Sequence, residues 1–217
     1  MDIDAIPSVK DALEALPAPN ACDFKWLTEL SDEYGGIFAL NYALAKKDFV
    51  EADAVMAKNH WTPTSIPHPD VTNWHKHCSL IYYACWGNNR EIYRGETLSL
   101  YHYFTQRDPD CVFGPAPGGG NMLHAWMYNA DSLVILKDLS ERGVDPLATD
   151  CYGYTPMQWL EKHIEHNESS REPEIRREFL AAAKALLEKS ISKNIANASW
   201  QKRMSSHSTG VHRPFGN

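Results

Sequence analysis

The chain has 217 residues, 43% hydrophobic and 23% charged, which suits one globular domain with a sizeable core. Its acidic start, Met1-Asp-Ile-Asp-Ala, argues against a secretory leader, and no apolar run approaches the roughly 20 residues that span a bilayer. The net charge of −7 divides unevenly: residues 1–170 hold 12 basic and 24 acidic side chains, while residues 171–217 hold 9 and 4.

An acidic body with a basic tail disfavours nucleic acid and favours a basic partner protein, or serves solubility alone. Five cysteines (Cys22, Cys78, Cys85, Cys111, Cys151) are scattered and form no CxxC pair. They read as reduced thiols of a cytoplasmic protein, with no membrane partner.

In chain order, Ser8 to Leu16 predicts a short helix. Ser8 is the N-cap, Asp11 stands three residues on, and Val9, Leu13 and Leu16 form an apolar stripe. Asp23 to Asp32 predicts a second helix with Phe24, Leu27 and Leu30 inward. Gly143 follows an apolar periodic run, as a left-handed glycine after a helix should. Gly153 suits a tight turn of positive φ. Thr155-Pro156 opens a helix with a capping hydroxyl and a proline whose missing N–H costs nothing. Pro173 to Ser190 predicts a long amphipathic helix, with Ile175, Phe179, Ala182, Ala183, Leu186 and Leu187 on one face. The polar, Gly-, Ser- and His-bearing end predicts a flexible basic tail over 191–217.

The segment from Gly120 through Asn121-Met-Leu-His124 to Gly143-Val-Asp-Pro146, and on to Asp150-Cys-Tyr-Gly153-Tyr-Thr155-Pro156-Met157, resembles an ankyrin repeat running into the next. Asn121-Met-Leu-His124 stands where that family has Thr-Pro-Leu-His. Ser79-Leu-Ile-Tyr-Tyr-Ala84 through Glu91-Ile92 is a weaker copy, and Phe38 to Ala52 a looser one. Repeat starts near 38, 79, 121 and 155 are spaced by 41, 42 and 34, against a family period of about 33. The long intervals imply insertions over 61–74 and 107–120.

The resemblance implies an all-α ankyrin solenoid of about four helix-turn-helix units with long inter-repeat loops. N-terminal capping helices over 1–35 would cover the first repeat, divergent repeats and a C-terminal capping helix would occupy 36–190, and the tail would follow. Tyr82 and Gln158 replace the family's histidines, and bulky Trp126 and Leu160 stand where it prefers alanine. These departures imply a looser or differently stacked solenoid.

No GxxxxGK[ST], HExxH, GxSxG or EF-hand pattern occurs, so no catalytic residue and no cofactor is expected. His75-Lys-His77-Cys78 is the densest group of metal-ligand types, but no further ligand stands at a recognisable spacing. A polar turn is the simpler reading, and no metal is expected. Gly118-Gly-Gly120 precedes a helix start, where N–H groups can hold an anion. A hinge feeding the next loop is again simpler. His124 has no nucleophile or carboxylate beside it in sequence, which favours a structural role. Most of the scattered histidines, His102 and His163 among them, read as surface or tail residues.

Ankyrin relatives bind along a concave face. The resemblance therefore implies contact positions at Cys151, Tyr152 and Tyr154 on the last loop, and at Lys162 and His163 on the helix after it. It adds Tyr128 and Asn129 in the preceding repeat and Trp86 before that. Tyr and Trp are the residues most enriched at binding hot spots. The alternative for Trp86 and Tyr128 is packing beneath the proline-rich insertions. The function expected is recognition of one partner protein rather than catalysis. An inhibitor or immunity protein neutralising a basic toxin or enzyme would fit. So would a host-directed microbial effector or adaptor. The rival class is an enzyme with a metal site at His75, His77 and Cys78.

Overall fold

The computed structural model describes residues 2–15, 39–40, 43, 48–65, 79–82, 95–114, 116–127, 132–167 and 173–208. Among them all regular structure is helical, with no strand. The helices are α1 (Val9–Glu14), α2 (Phe49–Lys58), α3 (Gly95–Arg107), α4 (Met122–Met127), α5 (Leu133–Arg142), α6 (Pro156–Asn167) and α7 (Pro173–Ser208). Residues 39–40, 43 and 80–82 are also helical. Short 3-10 turns cover Ile3–Ala5, Pro109–Phe113 and Pro117–Gly119. Helical residues thus follow each expected start near 38, 79, 121 and 155. The helix expected over 23–32 and most of the 61–74 insertion lie outside the described residues. None of the described helices is long and apolar enough to cross a membrane.

Local chemistry explains the boundaries. Ser132 caps α5, its hydroxyl accepting from the Ile135 N–H at 3.4 Å. Leu133, Ile135, Leu136 and Leu139 then bury one face of that helix. The helix ends at Gly143, at φ 86°. There the Gly143 N–H donates to Ser140 O and the Val144 N–H to Leu139 O. That pair of bonds, with Val144 and Leu139 both buried, is the Schellman arrangement. At the start of α6 the Gln158 N–H donates to Thr155 Oγ1 (3.3 Å), while Gln158 Oε1 accepts from the Thr155 N–H (2.8 Å). Gln158, a departure from the repeat pattern, thereby completes a reciprocal capping box.

α5 packs against α4 and α7, and α6 packs against the same two helices. The other bulky departures fill this core. Leu160 is fully buried and Trp126 nearly so. The Trp126 ring stacks on Phe179 of α7 at 6.1 Å, and its indole N–H donates to Ser132 O at 2.7 Å. On the other side of the sequence, α2 meets α3 through Phe49, whose ring stacks on Tyr103 at 6.3 Å. Asp53 accepts from the Tyr103 hydroxyl at 2.7 Å and pairs with Arg107. Tyr101 and Arg142 share the Asp138 carboxylate at 2.6 and 2.5 Å, tying α3 to α5. Buried Cys111 lies in the turn after α3, where burial pushes its thiol up to about 12. It is therefore inert at neutral pH.

The N-terminal segment packs along α3 and α5, and its 3-10 turn on α7. Ile6 and Val9 are buried, and Lys137 donates to Ile6 O at 2.6 Å. The Asp11 carboxylate accepts from the Ser8 hydroxyl while that hydroxyl caps the Asp11 N–H. Further on, α7 continues past Ser190 to Ser208, into the segment expected as a flexible tail. His102 is partly buried on α3. That burial holds its pKa below the ordinary histidine value.

The strap yields a contrast. Asp4 and Lys189 meet at 2.8 Å but are largely exposed, and such pairs contribute little. Ile6→Ala is expected to cost about 2–3 kcal/mol through lost burial, whereas Asp4→Asn leaves the thermal midpoint unchanged. Thermal unfolding of both variants checks this.

Candidate protein-binding surface on the 150–155 loop

The loop between α5 and α6 is organised around one carboxylate. Asp150 Oδ1 accepts the backbone N–H groups of Tyr152 and Tyr154 at 2.9 and 3.0 Å. Asp150 Oδ2 accepts the Trp159 indole N–H at 2.7 Å. The backbone closes the same loop: the Asp150 N–H donates to Tyr154 O, and the Gly153 N–H to Asp150 O, both at 3.0 Å. Gly153 sits at φ 79°, where a side chain would be strained. Burial alone would raise the Asp150 pKa. The indole, the two backbone donors and nearby His124 more than offset it, and the carboxyl titrates below its usual range.

Two neighbours fix this loop from outside. The Cys151 N–H donates to Gly118 O at 2.6 Å, so the glycine run acts as a latch between successive loops. His124, at the start of α4, reaches Tyr154 O with Nε2 at 3.0 Å. Its Nδ1 accepts the Asn121 N–H at 3.1 Å. The bond to the Tyr154 carbonyl requires the proton on Nε2, and Nδ1 also lies 2.9 Å from Asn121 Oδ1. Burial holds the imidazole below its ordinary pKa, against the favourable bond to Tyr154 O and the Asp150 charge. Both ring nitrogens are engaged, which is the structural role expected of His124. Gly120 makes room for that ring, since a Cβ there would stand 2.8 Å from His124 Cγ.

The result is a fixed loop with an open tip. Tyr152 is 70% exposed, and Cys151 is exposed beside it. Tyr154 is partly buried and lies edge-to-face with Trp159, their centroids 5.5 Å apart. The Lys162 ammonium lies 3.4 Å from the Tyr154 ring centroid and 5.2 Å from that of Trp159. His163 is partly buried next along α6.

Of the expected contact residues, the structure therefore gathers Cys151, Tyr152, Tyr154 and Lys162, with His163 adjoining. Trp86, Tyr128 and Asn129 lie outside the described residues, as do His75, His77 and Cys78. Sequence reasoning missed Asp150 and Trp159, which hold the loop. The available signal was an acidic residue opening a Tyr-Gly-Tyr turn, with an indole one helical turn beyond Thr155.

Among the described residues no three His, Cys, Asp or Glu side chains gather as metal ligands. No family model, no curated protein and no solved structure matches the chain.

Proposed function

We propose that the chain is a divergent ankyrin-repeat solenoid that works by binding one partner protein, and that loop 150–155 belongs to the contact surface. The helix-loop-helix order from α4 to α7 supports the repeat reading, as does the bond from His124 of one unit to the loop opening the next. The observation that carries the binding reading is Tyr152. It is an exposed aromatic on a loop whose backbone is fixed by Asp150, His124 and Gly118. A rigid presenting loop loses little entropy when it binds, and tyrosine buries much area for few rotors.

The acidic balance of residues 1–170 makes a basic protein the favoured partner, by steering and complementarity. Inhibition of a basic enzyme or toxin in the cytoplasm is the role that best fits these features.

Site-directed photo-crosslinking tests this. With benzoylphenylalanine at position 152, one discrete cross-linked protein species is expected. The same group at exposed Lys10 on α1 should not yield it. Equal capture at both positions, or none at 152, would count against the loop.

A further inference from the structure

Lys162 occupies an unusual place for a cation on an acidic body. Residues 1–170 carry twice as many acidic as basic side chains, and Glu161 and Glu165 flank Lys162 on α6. Other lysines take carboxylate partners: Lys184 pairs with Glu161 at 3.5 Å and Lys189 with Asp4 at 2.8 Å. Lys162 pairs with no carboxylate among the described residues. Its ammonium instead lies in the angle between two aromatic rings, 3.4 Å from the Tyr154 centroid and 5.2 Å from the Trp159 centroid.

The rings form a built cation site. Their 69° interplanar angle opens a corner in which both π faces can meet one charge. Trp159 donates its indole N–H to Asp150 Oδ2 at 2.7 Å. Donation to a carboxylate leaves the indole ring more electron-rich, which strengthens its attraction for a cation. That bond and the loop around Asp150 also hold the corner in place without Lys162. The lysine itself is exposed, so its departure into water uncovers the Tyr154 face that it lies over. Tyr152, the exposed tip of the same loop, lies two residues before Tyr154.

From this geometry we infer that the Tyr154–Trp159 corner is a receptor for a lysine or arginine side chain of a basic partner, and that Lys162 is a resident stand-in which the partner's cation displaces. The inference rests on the reading of loop 150–155 as a protein-binding surface and names what that surface takes. The partner's charged group lies over the Tyr154 face, Asp150 supplies the nearby negative charge, and Lys162 swings outward. Lys162 thus raises selectivity, because a weak cation does not evict it.

The test uses the full chain and an octalysine peptide, with affinity read by calorimetry at fixed ionic strength. Lys162→Gln frees the rings and removes one positive charge. Lys184→Gln removes one charge from the same pair of helices without freeing them, and Lys162→Arg keeps the rings occupied. The expected result is that Lys162→Gln binds the peptide about two- to five-fold more tightly than Lys184→Gln, with Lys162→Arg equal to the native chain. Adding Tyr154→Leu to Lys162→Gln should abolish that extra gain, circular dichroism confirming the fold. Equal gains in Lys162→Gln and Lys184→Gln would overturn the inference, since charge alone would then account for both. A gain that persists after Tyr154→Leu would overturn it too. Failure of the underlying reading looks different: the cation site would behave as stated, but a cross-linker at position 152 would capture no partner.

Discussion

Replacing His124 with alanine should destabilise the fold by about 2–4 kcal/mol, among the largest effects of any single change near the loop. The side chain is only 3% exposed and joins two segments thirty residues apart. Its loss leaves the Asn121 N–H without its acceptor, takes one of two donors from the Tyr154 carbonyl, which keeps the Asp150 N–H, and leaves a cavity beneath Gly120.

The cost carries a pH signature. The folded-state pKa of His124 is depressed below its unfolded value. The folded form therefore binds fewer protons than the unfolded chain at mildly acid pH. The stability from keeping the ring neutral is fully present above about pH 6.5, the unfolded value. It is lost as pH falls from there towards the folded pKa. His102 is shifted in the same direction by burial, so the native chain alone does not isolate the effect. The difference between native and His124→Ala does: their gap in urea unfolding free energy should be smaller at pH 5.5 than at pH 7.5. A gap independent of pH would mean that His124 is not held neutral by the fold.

Asp150→Asn should cost about 2–3 kcal/mol. An asparagine oxygen can keep the Tyr152 and Tyr154 N–H groups, but its amide nitrogen then faces the Trp159 indole N–H, donor against donor. The loop loses its hold on Trp159 and the corner that carries Lys162. Because the Asp150 pKa is depressed in the folded state, the charge stabilises above the unfolded carboxylate value. That contribution disappears as pH falls through the folded pKa, in a window below that of His124. Loss of the Trp159 indole proton's downfield NMR position in Asp150→Asn would report the broken bond directly, and an unmoved signal would contradict it.

The parts of the fold written in local chemistry were legible beforehand. Gly143 after an apolar periodic run, Thr155-Pro156 before α6 and Ser8 before α1 each act through bonds spanning a few residues, and the structure uses all three. Placement of the N-terminal segment was not legible. It depends on Lys137 reaching Ile6 O, 131 residues away, and on α1 packing against α3 and α5. The length of α7 was open to a better reading. No glycine or proline interrupts residues 174–209, and the polar composition of 191–208 concealed that lack of breakers.

At the candidate surface, the resemblance placed Tyr152, Tyr154 and Lys162 near one another. It did not anticipate that Lys162 would cover Tyr154, because the rotamers follow from where α6 lies against the loop. Nor did it single out Asp150, whose importance comes from three donors converging on one side chain.

The loop's worth as a contact surface rests on the independence of its tip from its frame. The most direct measurement is therefore made on Tyr152→Ala, comparing its affinity for the cross-linked partner, once purified, with its thermal midpoint. Removal of an aromatic hot spot should weaken binding at least about tenfold, while the midpoint stays within about one degree, because the ring is 70% exposed and the Asp150 bonds reach backbone atoms alone at that residue. Unchanged affinity, or a large fall in the midpoint, would contradict the account.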